Sequence, residues 1–284
     1  MNDVTALIIT KNEEKNIEDC IKSIIGFCSR ILVIDSYSTD NTIAICKKYK
    51  CDCYFHEFIT HADQRNWALD NCDISTKWVL RLDADERLTP ILCKELEKMI
   101  IVHDNDDVNG ITMEASLYFL GKRIKHGCKN KRKLMLFKYG FARIENRRMD
   151  EHTILLKGTS VSCKNKFIHY DFKSIDSWIS KLNWYATNEV LDYYDTLCNP
   201  KTNNMNIEND KEISKNRKKK FGFYYKLPLF IRCWMLFIYN YIFRLGFLDG
   251  KEGFVYHWMY HRWYRTLVDS KILEKRIADK KELK

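Results

Sequence analysis

Three apolar runs near the start of this chain each end in side chains able to hold or polarise a ligand. Val4 to Thr10 runs into Lys11-Asn12-Glu13-Glu14, Arg30 to Ile34 into Asp35, and Lys77 to Leu82 into Asp83-Ala84-Asp85-Glu86. The last is the densest, and clustered carboxylates are costly unless a cation or hydrogen-bond donors offset them. Carboxylate oxygens are hard ligands, and Mg²⁺ or Mn²⁺ suits one or two of them together with substrate phosphates. Metal and nucleotide binding is the chemistry this pattern predicts at Asp83 and Asp85. The competing reading is a polar turn whose aspartates cap the helix that begins near Thr89.

The elements that must position these residues alternate. Strand-type runs at 4–10, 30–35, 51–55 and 77–82 are interleaved with helical periodicities. Ile17, Ile21, Ile24 and Ile25 mark one helix, Thr42 to Tyr49 a second with Thr39 or Asp40 as its cap, Ala62 to Cys72 a third, and Leu92 to Ile100 a fourth. Strand and helix in alternation predict an α/β fold with a mostly parallel sheet flanked by helices. Ligands of such sheets bind at the carboxyl ends of the strands, where Asn12, Glu13, Asp35 and Asp83 fall.

Composition narrows the classes. The chain has 284 residues, 45% of them apolar and 30% charged, with 3 Pro and 10 Gly, which excludes a collagenous or largely disordered chain. No G-x-G-x-x-G or Walker loop follows any strand, and neither a G-x-S-x-G elbow nor H-E-x-x-H is present. The 11 cysteines are odd in number and lack any C-x-x-C pair, so free thiols in a reducing compartment are expected rather than a disulfide scaffold. The opening Met1 to Thr10 has neither a basic leader nor a long apolar stretch, and a cytoplasmic location is expected.

Four motifs in order, Thr10-Lys11-Asn12-Glu13-Glu14, Asp35 to Thr42, Gln64-Arg65-Asn66-Trp67-Ala68 and Asp83-Ala84-Asp85-Glu86, resemble the signature of family-2 glycosyltransferases of the GT-A fold. The subgroup resembled is that of lipopolysaccharide-core β-glucosyltransferases, through Lys133 to Phe137, Asp150-Glu151, Ile168-His169-Tyr170 and Arg244 to Gly250. The resemblance implies an inverting transfer of a sugar from a nucleotide-diphosphate donor to a glycan or lipid-linked glycan. It implies that Thr10, Asn12, Glu13 and Asp35 line the nucleoside pocket and that Arg65 lies near the diphosphate. Asp83 would sit near ribose and metal, Asp85 would be the main ligand of Mn²⁺ or Mg²⁺, and His169 would complete the metal shell. Glu151 matches the family's catalytic carboxylate and is the expected base, with Asp150 standing where the subgroup usually has His. Met135 stands where relatives usually have Arg, and Lys133 or Arg132 could supply that charge. A nucleotidyltransferase of similar fold and an inactive membrane-associated binding protein are the alternatives of other classes.

The domain reading is a glycosyltransferase domain at 1–198, divided into a nucleotide-sugar half at 1–105 and an acceptor half at 106–198. A polar, basic linker at 199–220 and a helical extension at 221–284 follow. Residues 211–284 hold 18 Lys/Arg against 7 Asp/Glu, whereas residues 1–210 hold 30 against 31, so the whole net charge of +10 belongs to the last quarter. Residues 221–264 carry 17 of the 38 aromatic side chains. At 100° per residue, Lys226, Arg232, Asn240 and Arg244 share a sector of about 120° on an otherwise apolar helix. The uncharged run Cys233 to Phe243 is only 11 residues, too short to span a bilayer. A basic, aromatic, amphipathic helix predicts peripheral attachment to an anionic membrane surface, with a core-covering helix or a dimer interface as alternatives. The apolar stripe is too continuous for a nucleic-acid site, and no nucleic acid is expected.

Overall fold

A computed structural model describes residues 1–128, 132–146, 151–170, 173–198 and 220–282. The chain divides into two compact units, Met1–Tyr118 with Asn130–Asp171, and Phe119–Lys129 with Phe172–Lys284. Helix α5 (Ile175–Cys198), counted with the acceptor half on sequence, is part of the second unit.

In the first unit, β1 (Asn2–Thr10) is buried on both faces. Val4, Ala6 and Ile8 enter one core cluster while Leu7 and Ile9 enter the other. Such a two-sided apolar strand suits the middle of a parallel sheet. Strand β1 pairs in parallel with β2 (Cys28–Asp35) and β4 (Trp78–Asp83), and β2 with β3 (Asp52–Phe55). Helices α1 (Ile17–Ile24), α2 (Thr42–Lys48), α3 (His61–Asn71) and α4 (Pro90–Val102) alternate with them as the periodicities predict. Thr10 lies opposite Asp35, and Ile9 opposite Asp83, so the three polar strand ends form one edge.

Beyond β4 the expected mostly parallel sheet becomes mixed. Its order is completed by Arg132–Lys138, Val108–Phe119, Thr159–His169 and the two-residue strand Glu86–Arg87. Arg132–Lys138 pairs antiparallel with both β4 and Val108–Phe119. Helical period and alternation locate strands but carry no information on such long-range pairing. The antiparallel pairing of Glu86–Arg87 with Thr159–His169 sets His169 opposite Glu86.

The second unit is helical: α5, α6 (Ile231–Ile238) extended by a π turn to Phe243, α7 (Gly250–His257), a second π turn, and α8 (Tyr264–Glu282). Buried charge ties it together. Asp269 on α8 accepts from Arg232 Nε at 2.8 Å and from the Phe230 amide at 2.7 Å. Glu189 on α5 accepts from Arg265 at 2.7 Å and from the Tyr225 hydroxyl at 2.8 Å. The Arg244 to Gly250 motif clamps a loop: Asp249 accepts from the Lys125 and His126 amides at 2.9 and 2.8 Å, and Arg244 donates to the carbonyls of Gly127 and Cys128. Gly127, at φ 71°, lets that loop approach His257 where a Cβ would sit 2.3 Å from the ring. The expected linker lies outside the described residues except for Lys220.

This unit carries a pH dependence. His257 and His261 are buried with their Nδ1 atoms 2.9 Å apart, so one ring donates and the other accepts. Burial, with Arg244 adding repulsion, lowers the His257 pKa despite the opposing pull of Asp249. Burial, then His257, Arg265 and Arg244, holds His261 well below its usual value. The unfolded chain takes up these protons first, so stability contributed by the neutral pair is lost as pH falls below about 6.5. Thermal unfolding of the full chain followed by tryptophan fluorescence should show a midpoint that drops between about pH 7 and pH 5. A His261→Gln variant should flatten that slope.

Candidate active site

Helix α3 has no apolar stripe because it is buried on several sides, and its consecutive residues reach different loops. Thr60 caps it by accepting from the Asp63 amide at 3.0 Å. Gln64 donates to the Ser36 hydroxyl after β2 and to the His56 carbonyl. Asn66 closes two bonds with the backbone of Ile144, at 2.8 and 3.0 Å. Ile144 belongs to the short hairpin of Ala142–Ile144 with Thr153–Leu155. The ring of Trp67 stacks on His56 with centroids 4.5 Å apart. By gripping the hairpin, Asn66 brings Glu151, which lies just before its second strand, to the neighbouring Arg65.

Arg65 is the centre of the site. Only 2% exposed, it donates through Nη2 to Asp83 Oδ1 and lies with Nη1 3.6 Å from Glu151 Oε1. One guanidinium thus joins the strand end that carries D-x-D to the carboxylate expected as base, Asp83 and Glu151 being 68 positions apart in sequence. Burial works against charge on Arg65, but Asp83 and Glu151 raise its pKa overall. Burial likewise works against the Asp83 carboxylate, yet Arg65, then Lys133 and Arg81, holds it well below the usual range.

Two further cations complete the balance: Lys133, one of the two residues expected to supply the charge missing at Met135, and Arg81, which sequence reading did not place. Lys133 Nζ donates to Glu86 Oε1 at 2.8 Å and lies 4.0 Å from Asp83 Oδ2. Arg81, buried on β4, donates to the Thr153 hydroxyl at 2.9 Å and so ties the strand to the segment following Glu151. Burial, then repulsion from Arg65, lowers the Arg81 pKa. Met135, at the position where an Arg was looked for, is fully buried in the core. Lys133 lies two residues away on the same strand face and brings the cationic head to the carboxylates.

Residues 5–160 match the model of glycosyl transferase family 2. The chain belongs to that family. Among its relatives, the lipopolysaccharide core biosynthesis glycosyltransferase LpsC of Rhizobium meliloti is 25% identical over 265 residues, covering 89% of this chain and 88% of LpsC. An uncharacterized glycosyltransferase of Rickettsia conorii is 27% identical, covering 66% of this chain and 70% of its own length. Of solved structures, Staphylococcus aureus TarS 1–349 in complex with UDP-GlcNAc is similar at a TM-score of 0.46 with 13% identity, covering 95% of this chain and 91% of that one. The fold of this family 2 glycosyltransferase is GT-A-like, an α/β architecture with a mixed sheet.

The remaining residues of the site fall around the strand ends. Asp35 is fully buried, and both of its carboxylate oxygens accept from Ser38, Oδ2 from the amide at 2.7 Å and Oδ1 from the hydroxyl. Asn12, at φ 54°, accepts from the Thr39 amide at 2.8 Å, and the Glu13 amide donates to Thr42 Oγ1 at 2.8 Å. These bonds lock the loop after β1 to the loop after β2. Asn41, rather than the expected Thr39 or Asp40, is the N-cap residue of α2 and makes no side-chain capping bond, while Asp40 just before it accepts from the Thr42 amide at 3.0 Å. Thr10 is buried beside them with its hydroxyl lacking a partner among the described residues. Thr89, not an aspartate of the D-x-D run, caps α4 by accepting from the Leu92 amide at 3.3 Å. The helix-cap reading of Asp83 and Asp85 therefore falls.

Asp85 Oδ2 lies 3.6 Å from His169 Nε2, and the Tyr170 amide donates to the Asp85 carbonyl at 2.9 Å. No group of three or more His, Cys, Asp or Glu side chains able to hold a metal forms among the described residues. Asp83, expected to share the metal, contacts Arg65 through Oδ1. A carboxylate and an imidazole fit a divalent cation that takes its other ligands from a diphosphate and water. Asp150 lies outside the described residues, whereas Glu151 is described and only 16% exposed at its side chain.

Proposed function

We propose that this family 2 glycosyltransferase moves a sugar from a nucleotide-diphosphate donor to a glycan or lipid-linked glycan of lipopolysaccharide type, with inversion in a single displacement. The observation that carries this reading is the contact of Arg65 with both Asp83 and Glu151, which gathers the acidic strand end and a candidate base into one site. In this reading the strand-end loops held by Asn12, Glu13 and Asp35 receive the nucleoside, and Thr10 lines the pocket beside them. Glu151 accepts the proton of the acceptor hydroxyl, and Arg65 fixes where that carboxylate stands. Asp85 and His169 would hold Mn²⁺ or Mg²⁺, which when bound supplies positive charge to the leaving diphosphate. The lipid-linked acceptor goes with a cytoplasmic enzyme attached peripherally to an anionic membrane surface through the second unit.

Calorimetric titration with uridine and guanosine diphosphate sugars, with and without Mn²⁺, tests the donor and metal parts together. At least one donor should bind with an affinity that Mn²⁺ raises about tenfold or more, a coupling of roughly 1.4 kcal/mol. The Asp85→Ala variant should lose the Mn²⁺ effect. If wild type and Asp85→Ala respond identically to every donor, the metal-assisted reading is wrong.

A further inference from the structure

The polar sector of the α6 segment, one side of the helix expected to attach to an anionic membrane surface, faces the protein. Arg232 is 1% exposed and bonded to Asp269, and Asn240 is buried and donates to the Leu236 carbonyl. Arg244 spends its guanidinium on the carbonyls of Gly127 and Cys128. The opposite face is turned outward. Ile231, Trp234, Met235, Ile238, Ile242 and Phe243 are all exposed, Phe243 by 73%, at the 3- and 4-residue spacing of one helix face. Trp258 adjoins this ridge, its ring 5.9 Å from Trp234, and Phe247, Leu248 and Phe254 are exposed within the same unit.

Here a helix buries its ion pair and leaves most of its large apolar side chains outside, Phe237 being the buried exception. In water this is the costly arrangement, because apolar area is favoured inside and charge outside. We propose that this ridge inserts into the hydrocarbon of one membrane leaflet, so that apolar burial, rather than headgroup charge, is the main source of attachment. No single described helix is long and apolar enough to cross a bilayer. The segments Lys220–Lys226 and Ile231–Phe243 reach that composition only as a pair bent by 113°. Pro228 and the left-handed Phe230, at φ 67°, make the bend, and the Phe230 amide is held there by Asp269. The bend favours a segment that dips into one leaflet over one that crosses both.

The chemistry of the ridge favours lipid over a second protein chain. Protein interfaces carry about one hydrogen bond per 100–200 Å² and a polar rim. Between Ile231 and Phe243 the exposed side chains offer two hydrogen-bonding groups, the Trp234 indole N–H and the Tyr239 hydroxyl, and no charge. Trp258 beside the ridge suits the headgroup boundary, and exposed Lys226 and Lys251 flank the ridge in sequence. Arg262 covers the Trp234 ring at 4.1 Å, which places a cation at that boundary too.

The inference deepens the membrane attachment proposed above, and its test separates the two. The full chain is floated with vesicles of phosphatidylcholine, with or without phosphatidylglycerol, at about 0.1 M and about 1 M salt, where the screening length falls from about 10 to about 3 Å. Flotation should persist at high salt and on uncharged vesicles. The double variant Ile238→Glu, Phe243→Glu should float about tenfold less, while Lys226→Gln changes little. Both substituted residues are exposed, so circular dichroism and the thermal midpoint should match wild type. In wild type, lipids brominated in the acyl chain should quench tryptophan fluorescence. Flotation that high salt abolishes and the double variant retains would overturn insertion but keep surface attachment. No flotation under any condition would overturn both. A lipid-free dimer that the double variant disperses, with flotation unaltered, would assign the ridge to a second copy and overturn the inference.

Discussion

A Glu151→Gln enzyme is expected to fold as wild type does, to bind donor with little change, and to turn over about 10²–10⁴-fold more slowly. The carboxamide keeps the size of the side chain and can still accept from Arg65 Nη1, which lies 3.6 Å from Oε1 in the native protein. What it loses is the capacity to take a proton from an acceptor hydroxyl. A base that acts only in the displacement step affects kcat and kcat/KM together and leaves donor affinity in place. Steady-state kinetics with a donor and acceptor pair, next to donor titration, reads both quantities. A Glu151→Gln enzyme with wild-type kcat would remove Glu151 from the chemistry and return the question to the segment that contains Asp150.

Replacing Arg65 should have the larger effect on the fold. Arg65→Ala removes the cation between Asp83 and Glu151 and leaves Asp83 beside Glu86, which is fully buried and accepts from the Asp83 amide. Lys133 cannot serve them all, since its ammonium is 2.8 Å from Glu86 and 4.0 Å from Asp83. Removing one partner from a buried ion pair commonly costs about 3–5 kcal/mol. Chemical denaturation should show a loss of that order, together with loss of turnover. Arg65→Lys should recover part of the stability and less of the activity, because a single ammonium cannot present the two-sided fork that spans both carboxylates. Equal stability of Arg65→Ala and wild type would show that the three-residue contact does not organise the site.

Much of the first unit was legible because its signals are local. Apolar runs ending in Thr10, Asp35 and Asp83 mark parallel strands, and parallel neighbours bring their carboxyl ends to one edge without further information. What was not legible is carried by contacts distant in sequence. Nothing in Lys133 to Phe137 announces that this strand lies between β4 and Val108–Phe119, yet that placement brings Lys133 to Glu86 and buries Met135. The run Gln64-Arg65-Asn66-Trp67 has no helical stripe to recommend it, since each side chain answers to a different loop. Four consecutive large or polar residues on a helix without an apolar face were the available signal that several segments converge there. In the tail, periodicity located the polar sector of Arg232, Asn240 and Arg244 correctly but could not give its direction. Asp269, 37 residues beyond Arg232, turned it inward.

The central claim is that one strand-end site, built by Arg65 around Asp83 and Glu151, transfers sugar from a nucleotide-diphosphate donor. Release of nucleotide diphosphate across a panel of sugar nucleotides, with Mn²⁺ and a lipopolysaccharide-type acceptor, measures it most directly. At least one donor should be consumed in an acceptor-dependent way by wild type, and about 10²-fold or more slowly by Glu151→Gln. A folded wild-type protein that releases no nucleotide diphosphate from any donor, or one whose release is the same in both enzymes, would contradict it.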